Sequence, residues 1–226
     1  MIRRILITAL LTGAIAGLFL SAIQLAWVNP LILEAETYEQ ATSHDPADDH
    51  GVLAESDHEA GWTPGDSIER LAYTLLSNLL AAFAFALLLA AAFALRGSID
   101  WRKGLLWGIA GFAAVHLAPA LGLPPELPGA ASGDLSGRQI WWFAAAAGAA
   151  SGLALVVFQS RAWWKLLGVA LIAAPHLVGA PGGGGHPSTV PAELTSQFVA
   201  ASLVSNFLFW IVIGASAGYF YRRLAD

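Results

Sequence analysis

The sequence has no cysteine, and that absence removes disulfides, thiolate metal sites and sulfur redox chemistry together. Charge is scarce as well. Asp, Glu, Lys and Arg make up 12% of the 226 residues, about half the density of a soluble domain. No GxxxxGK[ST] run is present, which excludes a P-loop ATPase. No Asp or Glu falls inside the long apolar runs, which argues against a proton relay of the carboxylate type.

What remains is largely hydrophobic, at 57% of positions. Uncharged runs cover 5–33, 71–95, 104–125, 139–160, 166–192 and 194–221. A helix crossing the hydrocarbon needs about 20 residues. The third and fifth runs are interrupted by Gly and Pro at their outer ends, so five spans is the alternative to six. A closed barrel is the other architecture that pairs every backbone group in lipid, but its strands would alternate apolar and polar residues. These runs of Ala, Leu, Phe and Gly do not alternate. The expected fold is therefore all-α: a polytopic membrane helix bundle of six transmembrane helices, one integral membrane domain over 1–226.

Lys and Arg orient it. With Met1 inside, the inner segments hold Arg3, Arg4, Arg96, Arg102, Lys103, Arg161, Lys165, Arg222 and Arg223, leaving only Arg70 and Arg138 outside. Both termini are then cytoplasmic in a bacterial inner membrane. Trp27, Trp101, Trp141–Trp142 and Trp163–Trp164 fall at helix ends, as interfacial belts do. The first apolar stretch exceeds a signal peptide's usual core of about 7–15 residues and lacks a clear cleavage site, so it reads as an uncleaved helix.

Residues 29–69 form an expected outer loop with eleven carboxylates and no Lys or Arg. The formal charge of −5 thus divides into −11 there and +6 elsewhere. Pro30 to Tyr38 has the pattern of a short amphipathic continuation of the first helix, whereas Gln40 to Gly65 is too polar for a packed core. His44, His50 and His58 stand beside Asp45, Asp49, Asp57 and Glu59, mixed donors suited to weak binding of borderline metals. A field this negative also concentrates cations without any rigid site.

Three outward-running helices share a weak repeat: a Leu-Leu pair, small residues, then Gln24, His116 or His176 before a Leu. The second and sixth helices share Ser77–Asn78 and Ser205–Asn206. Three α-hairpins around a pseudo-threefold axis would fit. Gly13/Gly17, Gly104/Gly108, Gly148/Gly152 and Gly214/Gly218 have the spacing that lets helix backbones approach closely. Intramembrane polar groups face the bundle interior or a wet cavity. Gln24, Asn78, His116, His176 and Asn206 are therefore expected in one layer near the outer face. Imidazoles and amide oxygens there can receive divalent cobalt, nickel or zinc. The same groups also serve as helix-bridging hydrogen bonds or caps.

Several stretches together resemble the CbtA family of predicted cobalt transporter subunits: MIRRILITALLTGAIAG at the start, PLILEAETYE at 30–39, APALGLPPELPG at 118–129, RQIWW at 138–142 and PHLVGAP at 175–181. The resemblance implies cobalt uptake linked to cobalamin biosynthesis, with a transported cation rather than a resident cofactor. It also implies a small single-helix, His-rich partner of the CbtB type. Positions that match its motifs and have ligand chemistry are Glu34, Glu36, Glu126, His116 and His176, with Arg138 expected to pair with Glu126 or Glu36. The lipid bilayer is the other partner; a homo-oligomer is left open, and no nucleic acid is expected. The competing readings are a noncatalytic membrane scaffold, which the Gly-xxx-Gly surfaces permit, and an enzyme on a lipid-linked substrate using Glu126, Arg138 and His186. The enzyme lacks a nucleophile–base or paired-carboxylate arrangement.

Overall fold

The computed structural model describes residues 1–43, 67–97, 99–128, 133–182 and 190–225. His44, His50, His58 and His186 lie outside these. Six helical rods run through the described segments. In the first, α1 (Ile2–Ile23) passes through a π turn (Gln24–Val28) directly into α2 (Asn29–Ser43). The helical continuation expected after Pro30 is thus formed, and the next rod, α3, occupies Ser67–Arg96. The third rod comprises α4 (Trp101–Phe112), a second π turn (Ala113–Leu117) and the short α5 (Ala118–Ala120). Then come α6 (Leu135–Phe158), α7 (Ala162–Val178) and α8 (Ala192–Arg223).

Among the described residues, four helices are long and apolar enough to cross a membrane: Ile2–Tyr38, Ile68–Arg96, Leu135–Phe158 and Ala192–Arg223. Ala162–Val178 is a shorter apolar helix. The third rod is diluted by Arg102 and Lys103 at its start and His116 near its end. Exposed Leu10, Leu80, Leu88, Leu106, Phe143 and Leu166 cover the outward faces, surface that lipid rather than water suits. This is an all-α, multi-pass membrane protein.

The rods end where local chemistry stops or starts a helix. Asp100 caps α4 by accepting from the Lys103 N–H at 2.9 Å, and Asp134 caps α6 through the Gly137 N–H at 2.6 Å. Gly97 and Gly179 follow α3 and α7 at φ of 88° and 87°, which an L side chain rarely adopts.

One end of the bundle is basic. Arg4 donates through both Nε, at 2.6 Å, and its terminal nitrogen to the Tyr221 carbonyl, and its guanidinium lies 3.6 Å over the Tyr221 ring. A cation at the C-terminus of α8 also complements the helix dipole. Arg96 stacks 3.5 Å over Phe158, and Arg222 approaches Asp100 at 3.9 Å. The starts of α1 and α4 therefore share a level with the ends of α3, α6 and α8. Arg70 and Arg138 lie at the other end, both ion-paired: Arg70 with Glu36 at 2.8 Å, Arg138 with Glu126 at 2.5 Å.

Helix pairing departs from the three consecutive hairpins suggested by the repeat. α1 lies along α3 as expected, but α4 lies along α8, and α7 lies along α6 rather than α8. The third rod meets α6 chiefly around its π turn and α5, and both α1 and α3 lean on α8. Glycine decides the partners. A Cβ on Gly214 would come within 2.7 Å of Gly108 Cα, and one on Gly104 within 2.9 Å of Gly218 Cα. A Cβ on Gly13 would come within 2.8 Å of Phe83 Cα on α3, and Gly168 and Gly152 face each other's helices across α6 and α7. Backbones this close gain dispersion and Cα–H···O contacts, which replace the hydrophobic drive that lipid removes.

Phe93, Phe209, Trp210, Ile213 and Tyr221 pack with small residues of α1 and α3 in the main core. A second cluster at the acidic end, including Val28, Ala35, Leu127, Leu194 and Phe198, pins α2 to the start of α8.

Candidate functional site

Three rods run from the basic end: the α1 rod, the α4 rod and α7. Each carries a π turn or a proline at the polar residue of the repeat. Gln24 opens the first π turn and His116 lies within the second, while in α7 Pro175 immediately precedes His176. A π turn widens the helix by one residue, and proline removes an N–H from the ladder. Both devices disturb the backbone where a side chain must be aimed sideways. Here each polar residue meets the helix that its rod packs against.

In the α1/α3 pair, Asn78 Nδ2 donates to Gln24 Oε1 at 2.7 Å and to Ser21 Oγ at 3.0 Å. The Ser21 hydroxyl in turn donates to the Gly17 carbonyl at 2.9 Å. Both hydrogens of the Asn78 amide are thereby used, so Oδ1 is its atom suited to a cation.

In the α4/α8 pair, Trp210 Nε1 donates to His116 Nδ1 at 3.0 Å. Asn206 lies on the same helix as Trp210, and its Nδ2 donates to the Ser202 carbonyl at 2.9 Å. An indole is a donor only, so the neutral imidazole carries its proton on Nε2; that tautomer is assigned from this bond. Metal ligation through Nδ1 requires the Trp210 N–H to turn away.

In the α6/α7 pair, Trp141 stands edge-on to His176 with centroids 5.5 Å apart and donates Nε1 to the Pro175 carbonyl at 3.0 Å. Trp141 therefore is not a belt residue. It is 6% exposed, seated against Gly122, where a Cβ would fall 2.7 Å from an indole carbon. Trp27, Trp101 and Trp163 are about half exposed, as belt residues should be.

At the acidic end, the motifs LGLPPELPG, RQIWW and PHLVGAP converge on one corner. Glu126 binds Arg138, Trp141 reaches Pro175, and Gly122 lies against both Trp141 and Ala180. The expected Arg138–Glu126 pair is present, and Glu36 takes Arg70 instead. Glu34 is exposed, and its carbonyl accepts from Thr37. An open cleft lined by Leu123, Leu135, Arg138, Gln139, Trp142 and Phe143 flanks the ion pair.

The polar residues are thus distributed over three helix pairs: Gln24 with Asn78, His116 with Asn206, and His176 with Trp141. Among the described residues, no group of three or more His, Asp or Glu is gathered closely enough to hold a metal ion. Sequence reading missed Trp210, Ser21 and the engagement of Arg70. Arg70 was findable, being one of two basic residues among the outer carboxylates. The Trp210–His116 bond joins positions 94 apart and follows only from knowing that α4 packs on α8.

The model of the CbtA family, described as "Probable cobalt transporter subunit (CbtA)", matches residues 2–222. Among curated proteins and among solved structures, nothing matches.

Proposed function

The chain belongs to the CbtA family, and from that membership we propose that it is the membrane subunit of a divalent-metal uptake system whose cargo is cobalt, supplied to cobalamin biosynthesis. The match over residues 2–222 carries this reading. In it, all six rods cross the bacterial inner membrane, with both termini and the basic end in the cytoplasm. The distribution of Lys and Arg supports that orientation.

The acidic segment gathers cations from outside, with His44, His50 and His58 as weak ligands among its carboxylates. Glu34, Glu36 and Glu126 stand at the rim of the bundle. Below them, the amide oxygens of Asn78 and Asn206 and the imidazoles of His116 and His176 serve as entry ligands that receive the ion at the outer end of the bundle. Neutral oxygen and nitrogen donors suit passage, because they replace water in the ion's shell without adding the full charge of a carboxylate. Inward movement of a divalent cation gains about 4.6 kcal/mol per 100 mV, which is enough drive without ATP. A small single-helix, His-rich subunit of the CbtB type is the partner that the family reading implies.

The test is uptake of radioactive cobalt by cells expressing the protein, with and without that partner, against nickel and zinc as competitors. Saturable cobalt uptake that falls in His116→Ala and His176→Ala is expected. Uptake unchanged in the double variant removes both histidines from the route. No uptake in any condition, with the protein present in the membrane, removes the transport reading and favours a scaffold.

A further inference from the structure

Serine and threonine hydroxyls in this chain's helices commonly bond back to the carbonyl four residues earlier: Ser21 to Gly17, Thr74 to Arg70, Ser151 to Ala147, Thr195 to Pro191 and Ser216 to Val212. Thr8, Thr12 and Ser205 do not. Their Oγ atoms have no hydrogen-bond partner among the described residues. Yet Thr8 and Thr12 are 0% exposed and Ser205 is 1% exposed. An unpartnered buried hydroxyl is destabilising, and a default acceptor lies one turn away in the same helix. Three such groups point to a role other than packing.

Their positions are related. Thr8 and Thr12 are one turn apart on α1, and Ala16 and Leu20 continue the same buried stripe. α1 packs on α3 and α8, and α8 contributes Ser205. Arg4 meets Tyr221 at the basic end, where the antiparallel α1 and α8 come together. Climbing both helices from there at about 1.5 Å per residue brings Ser205 level with Leu20 and Ser21. Directly beyond lies the Ser21–Gln24–Asn78 group. From Gln24 down to Thr8 the rise is about 24 Å, most of a hydrocarbon layer of about 30 Å. Small apolar residues fill the intervals, among them Ala9, Ala16, Ala82 and Ala86, all 0% exposed.

We propose that the seam between α1, α3 and α8 is the cation path of this protein, with the hydroxyls of Thr8, Thr12 and Ser205 as its successive oxygen donors. The proposal rests on the cation-uptake reading and adds the route. Asn78, Gln24 and Ser21 form the mouth at the acidic end, and Arg4, held by Tyr221, closes the foot. Hydroxyl oxygens that are not committed to backbone carbonyls exchange readily with an ion's hydration water. The route runs beside the His116 cluster, which belongs to the α4/α8 pair.

The lack of native cysteine allows a direct test on the full chain. Thr8→Cys, Thr12→Cys and Ser205→Cys are each placed in membrane vesicles and treated with a small cationic methanethiosulfonate reagent. Ala145→Cys and Ala149→Cys on α6 serve as controls, being 1% and 2% exposed in the wild type. The path predicts labelling of the three seam positions at least tenfold faster than the controls, slowed severalfold by added cobalt. Labelling no faster than the controls overturns it.

In parallel, Thr12→Val and Ser205→Ala remove one hydroxyl each without needing a reactive thiol. Cobalt uptake should fall severalfold while the unfolding temperature in detergent holds or rises. Undiminished uptake in both variants overturns the route. If the wild type takes up no cobalt but the seam cysteines are labelled, the cargo reading fails and the path stands. If the wild type takes up cobalt and those cysteines stay unlabelled, the path fails and the cargo reading stands.

Discussion

Trp210 on α8 donates its indole N–H to His116 Nδ1 on the π turn after α4, at 3.0 Å. The two rings are edge-to-face with centroids 6.1 Å apart, and Gly111 makes room, since a Cβ there would come within 2.5 Å of an indole carbon. This bond places the imidazole and occupies the nitrogen that a metal would use.

Trp210→Phe removes the donor while keeping an aromatic face toward Phe85, whose ring centroid is 4.9 Å away. The freed acceptor should cost about 1–3 kcal/mol of stability, the range for a buried group left unpaired. If His116 ligates cobalt, calorimetric titration of the purified variant should show tighter cobalt binding than the wild type. Adding His116→Ala should cancel that gain. A gain that survives in the double variant means the ligand is elsewhere.

Arg138 and Glu126 join the start of α6 to the loop before it at 2.5 Å, with side chains 19% and 32% exposed. Arg138→Ala and Glu126→Ala, singly and together, should show a coupling of about 0.5–1 kcal/mol in thermal unfolding, because the pair is partly screened by solvent. Additive losses would remove the bond as a fastener of this corner. The corresponding measurement on cobalt uptake separates a structural clamp from a role in cation entry.

Two kinds of glycine should resist alanine for different reasons. At Gly108 a Cβ would lie 3.1 Å from Gly214 Cα and closer still to the Trp210 carbonyl, so α4 and α8 must separate. Gly108→Ala should cost about 1–3 kcal/mol as overpacking. At Gly179 nothing lies within 4 Å, and only its φ of 87° resists a side chain. Gly179→Ala should cost about 1–3 kcal/mol from backbone conformation alone, because φ 87° with ψ 147° is a region nearly reserved for glycine. Unfolding in detergent measures both; no loss at Gly108 would contradict the close-packing account of α4 and α8.

The Lys103 backbone N–H at the start of α4, helped by the charges of Lys103 and Arg222, holds the Asp100 carboxyl below its ordinary pKa of 3.8. A carboxylate whose folded pKa is depressed stabilises the fold above its unfolded pKa, and that contribution disappears as pH falls through the folded value. The unfolding-temperature gap between wild type and Asp100→Ala should therefore be constant from neutral pH down to roughly pH 4 and narrow below it. A gap that widens on acidification would assign the cap the wrong sign.

Much of the architecture was legible because lipid imposes rules that act residue by residue. The apolar runs marked where helices lie, and the nine basic residues from Arg3 to Arg223 marked the end they share. The Gly-xxx-Gly spacings marked faces that must approach another backbone, and all four pairs do so. The Arg138–Glu126 bond could be anticipated because a short segment joins two oppositely charged residues at helix ends. Trp141 was misjudged, since a tryptophan at a helix end suits an interface equally well whether its N–H meets water or the Pro175 carbonyl.

The sequence by itself determined the class, the helices, the basic end and the close-packing faces, because each depends on a residue's own transfer free energy or missing side chain. Tertiary structure alone decided who meets whom. A glycine stripe states that some backbone will come near, but not which one, and only packing selected α8 for α4 and α6 for α7. That selection split the polar residues into three groups, put the Trp210 donor on His116, and left Thr8, Thr12 and Ser205 buried with their hydroxyls uncommitted. Hydrogen bonds between helices are settled by register and rotation, which no single helix carries in its own sequence.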